Sequence, residues 1–511
     1  MNLTPALCLL ALALALPSDA ATRFTTDEAF DASTISPYSG SHDAVYAHID
    51  AHRDAHLAEL QRWVRQPSVS AQNRGIAEMA KLLADDLTAL GFEEVAVVPT
   101  SGHPGVFGFY DAGAPRTLVV YLMYDVQPEE TGWQVPAFEG ALVDHTLGRV
   151  LMARGATNQK GPERAFFNAV SSILATAGKL PVNLLVAAEG EEELGSPHYP
   201  EIIERYAARL AAADGVLFPA NSQDATGAVG QSLGVKGIVI VELEARGGER
   251  GGPELAEIHS SLKAIVDAPA WRLVQALSTL VSADGNTILV PGYSDAIRAP
   301  TLEEQRLVNG MMKEWPAREA AMRESLAVRR FAGGATGRDL LARLLFGTTI
   351  NINGLWSGYT GEGMKTILPH IATARLDSRL VPNQTPDAQV ALIRRHLADR
   401  GFSDIVVRQV SGYAPAQTSV DSALVRTAIS VFNKHGATPS VSPRLAGSAP
   451  YWVFTERLKL PLVSGGLGHG SGAHAPNEYM VIDPKPGSKI ADLAEIEKFY
   501  VDLLYAFAAM Q

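Results

Sequence analysis

The chain has 511 residues, of which 47% are hydrophobic and 19% are charged, and its mean hydropathy is +0.05. This composition excludes an intrinsically disordered chain, a collagen and a small disulfide scaffold, and the length predicts about two to four domains. The 43 basic and 55 acidic residues give a formal net charge of -12. Because no basic stripe is present, nucleic acid and anionic membrane surfaces are not expected partners.

The first twenty residues have the pattern of a signal peptide. An apolar run at 5–16 is followed by the small-residue sequence S-D-A at 18–20. The run matches the core of a signal peptide and is shorter than the roughly 18 residues of a membrane span. The single cysteine, Cys8, lies inside it, so the mature chain has neither disulfide bonds nor thiolate metal ligands. We expect an exported protein, periplasmic or secreted, without a membrane span.

The next part of the chain is predicted to be an α/β domain. Residues 21–42 are rich in Thr, Ser, Asp and Ala and are predicted to form a loose leader segment. After it, helical periodicity alternates with buried, strand-like runs, which predicts a largely parallel sheet. The predicted helices lie at 43–65, 76–90 and 162–177, and the predicted strands lie at 94–98, 106–110, 117–123 and 182–188.

The middle of the chain has a different pattern, which predicts an inserted α+β domain at 238–412. Its predicted strands lie at 237–246, 350–353, 372–380 and 404–410, and one helix is predicted at 386–400. Residues 413–511 return to α/β character, with a strand at 460–464. The segments 43–237 and 413–511 are therefore predicted to be two parts of one domain.

Polar clusters follow the buried strands of this domain. The longest run of acids is E-G-E-E-E at 189–193, directly after a predicted strand. Four carboxylates within five residues repel each other unless solvent, a cation or protonation relieves the repulsion. Spacing alone leaves two interpretations open, a solvated acidic turn and a catalytic or metal site at the carboxyl edge of the sheet.

Seven motifs in order resemble the aminoacylase/carnosine-dipeptidase family of co-catalytic zinc exopeptidases. They are Y-x-x-Y-D-V-Q-P at 121–128, R-G-A-T-x-x-K-G-P at 154–162, E-G-E-E-E-x-G-S at 189–196, I-H-S at 258–260, G-Y-T-G-E-G-x-K-T at 358–366, R-L-V-P-N-Q at 379–384 and A-H-A-P-N-E at 473–478. The resemblance implies a zinc-exopeptidase-like mixed sheet flanked by helices, with an inserted α+β domain that acts as a lid and forms a homodimer. It also implies a peptidase or amidohydrolase that acts on dipeptides or N-acyl amino acids.

The family's two zinc ions would need five ligands, and the sequence retains two of them, Glu193 and His474. Met123 stands where the resemblance implies a histidine, Asn158 replaces the bridging aspartate, and Ala220 replaces a further aspartate. A thioether favours copper(I) over zinc, a methyl group donates nothing, and catalytic zinc usually has three good protein ligands. We expect no zinc or one weakly held zinc, and not a two-zinc site.

The resemblance assigns catalytic roles to three further residues. Glu192 matches the general base that takes a proton from water, and Asp125 matches the carboxylate that orients the first ligand. His259 matches the histidine that the inserted domain supplies to the tetrahedral oxyanion; by itself it would be an ordinary polar histidine. His469 and Asn221 are the candidates for replacement metal ligands.

The resemblance also assigns residues to the substrate. Arg379 and Asn383 match the clamp on the substrate carboxylate, and Lys365 and Ser448 lie in substrate-side segments. Outside its motif, Arg379 would be taken for a structural ion-pair residue. We therefore expect a small peptide or N-acyl amino acid with a free carboxylate as the partner of the cleft.

Three hypotheses for the function remain open at this point. The first is an exported peptidase or amidohydrolase whose altered metal site still works. The second is a metal-independent enzyme that uses acid–base or acyl-transfer chemistry on a peptidyl substrate, for which positioned carboxylates and imidazoles suffice. The third is a non-catalytic protein that binds a peptide.

Overall fold

A computed structural model describes residues 24–510, so the predicted signal peptide lies outside the described residues. None of the helices in this range is long and apolar enough to cross a bilayer. The α-helices of this range are α1 (Asp43–Ala51), α2 (Arg53–Arg65), α3 (Ile76–Ala89), α4 (Lys160–Ala177), α5 (Tyr199–Arg205), α6 (Ala207–Leu210), α7 (Pro269–Leu277), α8 (Leu302–Met311), α9 (Trp315–Ser325), α10 (Gly337–Phe346), α11 (Pro386–Asp399), α12 (Ala423–Lys434) and α13 (Leu493–Ala508).

Strands are found in both predicted parts of the α/β domain and between them. They are β1 (Ala96–Val98), β2 (Gly105–Tyr110), β3 (Thr117–Met123), β4 (Ala141–His145), β5 (Gly148–Met152), β6 (Asn183–Glu189), β7 (Gly215–Phe218), β8 (Gly230–Ser232), β9 (Gly234–Val235), β10 (Gly237–Arg246), β11 (Ile258–His259), β12 (Asn351–Ser357), β13 (Ile367–Leu368), β14 (Ile371–Leu380), β15 (Val406–Tyr413), β16 (Ala416–Gln417), β17 (Ser440–Ser442), β18 (Leu462–Ser464), β19 (Gly470–Ser471) and β20 (Tyr479–Pro484).

A six-stranded mixed sheet forms the centre of the molecule, in the order β1-β2-β6-β3-β7-β18. Strands β6, β3, β7 and β18 are parallel, and β2 and β1 join the sheet antiparallel. The long apolar helices α4 and α13 pack together in the same core as β3 and β6. Both strands are buried along nearly their whole length, as expected for strands covered on two faces. The predicted α/β class is confirmed.

The register of this sheet brings two predicted polar clusters together. Met123, the last residue of β3, pairs with Glu189, the last residue of β6. The carboxyl ends of parallel strands meet at one edge of a sheet, where ligands commonly bind in α/β proteins. The acidic turn at 189–193 and the polar segment after β3 therefore start side by side.

The middle of the chain contains a separate antiparallel sheet in the order β12-β14-β10-β15. Strands β10 and β14 pair along ten residues each, from Gly237 opposite Leu380 to Arg246 opposite Ile371. Helices α7 and α11 pack against these strands, and their apolar residues share a core of their own. This is the α+β unit that the sequence predicts, whereas the boundaries 238 and 412 stay predictions.

Two expectations about the first part of the chain are wrong in detail. The predicted helix at 43–65 is divided, because the chain leaves helical geometry at His52, which caps α1. The predicted loose leader is packed over its described part, residues 24–42. Ala32 and Ile35 are buried, and Asn433 donates hydrogen bonds to both of their carbonyl oxygens. A few apolar residues in a polar stretch are enough to hold it, and average composition does not show them.

Candidate functional site

Asp125 anchors the acidic turn. It lies two residues beyond β3, is fully buried, and accepts hydrogen bonds from the backbone N–H groups of Glu192 and Glu193, each at 3.1 Å. Burial and the nearby charge of Glu193 raise the pKa of Asp125 to about 7, although the two N–H groups oppose the shift. The resemblance predicts that Asp125 orients a histidine ligand, but Met123 stands at the position of that histidine. In the structure Asp125 holds the turn after β6 instead.

Glu193 is the centre of a hydrogen-bonded group. Its Oε1 accepts from Asn158 Nδ2 at 2.7 Å, and its Oε2 accepts from Gln127 Nε2 at 2.8 Å. His474 Nε2 lies 3.1 Å from Glu193 Oε2 and 3.1 Å from Asn158 Nδ2. The Glu193 side chain is 4% exposed and that of His474 is 56% exposed. The structure therefore brings the two retained ligand positions together, with an amide beside them.

Glu478 positions the loop that carries Asn158. This fully buried carboxylate pairs with Arg154 at 2.8 Å. It also accepts from the backbone N–H groups of Gly155 (3.0 Å), Thr157 (3.0 Å) and Asn158 (2.8 Å). Burial raises the pKa of Glu478, and these donors oppose the rise. The motif at 473–478 ends at Glu478 without giving it a role, and its position four residues after His474 is the signal in the sequence that points to it.

Glu192 differs from its neighbours because its carboxyl group has no hydrogen-bond partner within residues 24–510. It stands at the start of a short 3-10 turn and is partly exposed. Although the residue keeps some exposed surface, the protein atoms around its carboxyl group remove that group from bulk water and raise its pKa well above the usual range, and the charges of Glu193, Asp125 and Glu189 add to the rise. An unpaired carboxyl group at the carboxyl edge of the sheet is free to accept or give a proton.

The first and third replaced ligand positions do not offer donors to a zinc ion. Met123 is 3% exposed, belongs to the apolar core beside Tyr121, and uses its backbone N–H to donate to Glu163 at 2.8 Å. Ala220 has no donor atom in its side chain. Met123 is therefore a packing residue, as expected for a thioether at the end of a buried strand.

Each of the two candidates for replacement ligands uses one polar atom in a hydrogen bond, whereas Asn221 Oδ1 is buried without a partner in the described residues. Asn221 Nδ2 donates to Thr157 Oγ1 at 2.9 Å. His469 is buried, with its Nδ1 2.9 Å from the carbonyl oxygen of Gln223. Within the described range, no three or more His, Cys, Asp and Glu side chains are arranged to hold a metal ion. These residues do not fit the family's two-zinc group, so we derive no step through a metal.

Arg379 and Ser448 form a second polar group. Arg379 Nη1 donates to Ser448 Oγ at 2.8 Å, and this hydroxyl donates to the carbonyl oxygen of Gly237 at 3.1 Å. The buried Tyr413 lies within electrostatic range of this group and of the acidic turn. Burial and the charge of Glu192 raise its pKa, and Arg379 opposes the rise. The pKa of Tyr413 therefore responds both to the predicted base and to Arg379 of the predicted carboxylate clamp.

Asn383 lies apart from this pair. It is exposed, has a positive φ of 75°, and lines a groove of about 490 Å³ together with Arg298, Glu303 and Gln417. No hydrogen bond joins it to Arg379 within the described residues. Its role in the carboxylate clamp stays a prediction.

His259 and Lys365 also lie outside the group around Glu192. His259 is exposed, with Nδ1 2.8 Å from Ser261 Oγ and Nε2 3.2 Å from Thr366 Oγ1. The Lys365 ammonium lies 3.8 Å from Glu257, and no contact with Glu192 or Arg379 is found in the described part of the chain. The oxyanion role of His259 and the substrate role of Lys365 stay predictions.

Comparison with known proteins decides the family. Residues 119–505 match the family described as Peptidase family M20/M25/M40. The chain belongs to this family. It is 27% identical over 471 residues to the Cys-Gly metallodipeptidase dug1 of Schizosaccharomyces pombe, which covers 86% of this chain and 94% of that protein. It is also 27% identical to the human Beta-Ala-His dipeptidase, over 76% of this chain and 78% of the relative.

Solved structures of M20 peptidases have the same fold. The M20 family metallo-carboxypeptidase Sso-CP2 from Sulfolobus solfataricus has a TM-score of 0.78 at 32% identity, over 89% of this chain and 99% of its own. Human carnosine dipeptidase 1 has a TM-score of 0.74 at 25% identity, over 92% and 100%. These matches confirm the predicted resemblance and fold, and they support a hydrolase of the dipeptidase type.

Proposed function

We propose that the protein is an exported M20 enzyme that cleaves dipeptides or N-acyl amino acids bearing a free carboxylate, at a cleft whose metal site is altered. The observation that carries this proposal is the unpaired carboxyl group of Glu192 beside the anchored carboxylates of Asp125 and Glu193. A carboxyl group whose pKa is raised by burial and by specific neighbouring charges at this edge of the sheet is a candidate functional group.

The proposed substrate class rests on Arg379. Its guanidinium group is 35% exposed and donates to Ser448, and its remaining N–H groups are suited to a planar carboxylate. Asp377 lies 3.9 Å away, too far to occupy those donors fully. The charges of Glu192 and Arg379 both act on the pKa of Tyr413, so a carboxylate bound to Arg379 would lie in the same electrostatic region as Glu192.

The proposed chemistry is proton transfer by Glu192. The carboxylate accepts a proton from the attacking water as its oxygen bonds to the substrate carbonyl carbon, and it returns this proton to the nitrogen when the C–N bond breaks. The same transfer of one proton, from nucleophile to Glu192 to leaving nitrogen, serves acyl transfer when an amine replaces water as the nucleophile. Positioning of the substrate by Arg379 supplies the orientation that such a step needs.

A second candidate function is the binding of a peptide without turnover. The observation that favours it is the replacement of three ligand positions by Met123, Asn158 and Ala220, because an unassisted water molecule is a poor nucleophile. In this case Arg379 would still bind a carboxylate, but Glu192 would be dispensable.

We also infer a homodimer formed through strand β12. This strand is an edge of its sheet and exposes Ile352, Leu355 and Trp356, each between 43% and 51%. A long, apolar, unpaired edge strand is a template for pairing with a second copy. Light scattering of the wild type and of Leu355→Lys tests this inference: we expect a dimer and a monomer respectively, and a monomeric wild type would refute it.

Turnover measurements test the proposed enzyme. The mature protein is incubated with dipeptides and N-acyl amino acids, with and without a chelator, and products are quantified by liquid chromatography and mass spectrometry. We expect turnover of free-carboxylate substrates that survives the chelator, is lost in Glu192→Gln and is kept in the control Glu130→Gln, an exposed acid. Turnover that requires an added metal would contradict the proposed chemistry. Binding without turnover that is unchanged in Glu192→Gln would favour the second candidate.

A further inference from the structure

The amide side chains of Asn158 and Gln127 have a common partner, the buried carboxylate of Glu193. Each donates to a different oxygen of that carboxylate, at 2.7 Å and 2.8 Å, so each oxygen has a neutral donor, and His474 Nε2 lies 3.1 Å from the oxygen that Gln127 binds. We propose that these two amides replace a divalent cation: they hold Glu193 and His474 in place at the carboxyl edge of the sheet without a metal. The inference rests on the proposed function because it concerns the same cleft.

Charge explains why amides are needed there. Besides burial, the charge of Glu193 raises the pKa of Asp125 and the pKa of Glu192. No Lys or Arg pairs with any of the three carboxylates in the described residues, and His474 is the one histidine that contacts Glu193 there. A carboxylate at position 158 would stand 2.7 Å from a carboxylate oxygen of Glu193, an arrangement that needs a cation or a shared proton. Asn158 presents N–H groups instead and is neutral, so the arrangement is stable without either.

The surroundings of Asn158 hold its loop independently of any ion. The backbone N–H of Asn158 donates to Glu478, which Arg154 holds in turn. The next residue, Gln159, donates from Nε2 to the carbonyl oxygen of Pro219 at 2.9 Å. The loop that carries Asn158 is therefore held by hydrogen bonds on both sides, and its geometry does not depend on coordination.

The experiment is thermal unfolding of the mature chain in chelator and in excess Zn²⁺. For the wild type we expect the same Tm in both conditions. Asn158→Asp places two carboxylates in contact, so its Tm should fall in chelator by about 2–4 °C and recover in Zn²⁺. Gln127→Glu adds the same charge from the other side of Glu193 and should show the same dependence on Zn²⁺.

The matched control is Asn433→Asp, which makes the same change at an amide that donates to the backbone carbonyl oxygens of Ala32 and Ile35, away from the site. It should show no dependence on Zn²⁺. A wild type whose Tm rises in Zn²⁺, or acidic variants no more responsive to Zn²⁺ than Asn433→Asp, would overturn the inference. If Asn158→Asp does not fold, the wild type and Gln127→Glu still decide the matter. Peptide binding through Arg379 is measured separately, so failure of this inference leaves the proposed substrate class to its own test.

Discussion

Arg379 donates a hydrogen bond of 2.8 Å to Ser448, and this contact joins the antiparallel sheet of the inserted unit to a loop that follows β17. The two residues are 69 positions apart in the chain. A carboxylate bound to Arg379 would therefore be held where the two parts of the molecule meet, which is a common place for a ligand site.

The first prediction concerns this guanidinium group. Arg379→Ala should raise the Kd of a free-carboxylate ligand about 10- to 100-fold, because a hydrogen-bonded charge contributes about 1.5–3 kcal/mol. The affinity for the same ligand with an amidated carboxyl group should stay unchanged. Calorimetry with both ligands measures this. Arg375→Ala, on the same strand but paired with Glu242, is the control, and equal losses in the two variants would refute the clamp.

The second prediction concerns the buried pair of Arg154 and Glu478. Glu478→Gln should lower the free energy of unfolding by about 3 kcal/mol, because the guanidinium group is then buried without its charge partner. The loop at 154–158 should also become more mobile, since Glu478 holds three of its backbone N–H groups. Urea unfolding and hydrogen exchange at these amides measure the two effects. Native stability with unchanged exchange would contradict the role assigned to Glu478.

The third prediction concerns pH and the fully buried Asp502 on α13. Burial opposes ionisation, but hydrogen bonds from His435, Lys434 and Tyr46 outweigh it and lower the pKa of Asp502 below 3.8. A lowered pKa stabilises the folded chain above the unfolded pKa, and this stabilisation is lost as the pH falls through the folded pKa. Asp502→Asn should therefore cost about 3 kcal/mol at pH 7, and the difference from the wild type should shrink below pH about 4.

Urea unfolding at pH 7 and pH 3 checks this dependence. The control is Asp50→Asn. It removes the exposed partner of Lys498, which lies on α13 like Asp502, and it should change the free energy of unfolding by about 1 kcal/mol or less. A cost at Asp502 that is the same at both pH values would show that its charge is not what stabilises the fold.

The fourth prediction concerns the segment before α1. Ile35→Ala should lower the free energy of unfolding by about 2 kcal/mol or more, because its side chain is buried in the main core. Glu28→Ala, at an exposed position of the same segment, should have little effect. Chemical unfolding of both variants distinguishes a packed segment from a loose one.

Much of the fold follows from local patterns in the sequence. Strand β3 ends where its apolar run predicts, at Met123, and β10 spans the predicted residues, because buried strands need continuous or alternating apolar side chains. The packing of residues 24–42 and the division of the first helix at His52 were not predictable in this way. The packing of residues 24–42 depends on contacts with residues hundreds of positions away, such as Asn433. The division of the helix depends on a local change of backbone angle at His52.

The candidate site was only partly predictable for a similar reason. The motifs locate Glu192, Glu193 and His474, but pairwise contacts decide what these side chains do. The amides of Asn158 and Gln127 bind one carboxylate, that of Glu193. This contact depends on the tertiary structure, because the three residues lie in separate segments of the chain. Glu478 stands in the motif at 473–478, but the motif assigns it no role, and its role becomes visible only through the backbone groups that it binds.

The metal content of the mature protein tests the central claim most directly. The protein is purified with zinc supplied, desalted, and analysed by elemental mass spectrometry. A variant that carries Met123→His, Asn158→Asp and Ala220→Asp, and so restores the expected ligands, is analysed in the same way. We predict a zinc content near zero per chain for the wild type and a clear increase for the restored variant. A wild-type content close to two zinc ions per chain would contradict the account and show that the chain has an ordinary two-metal site.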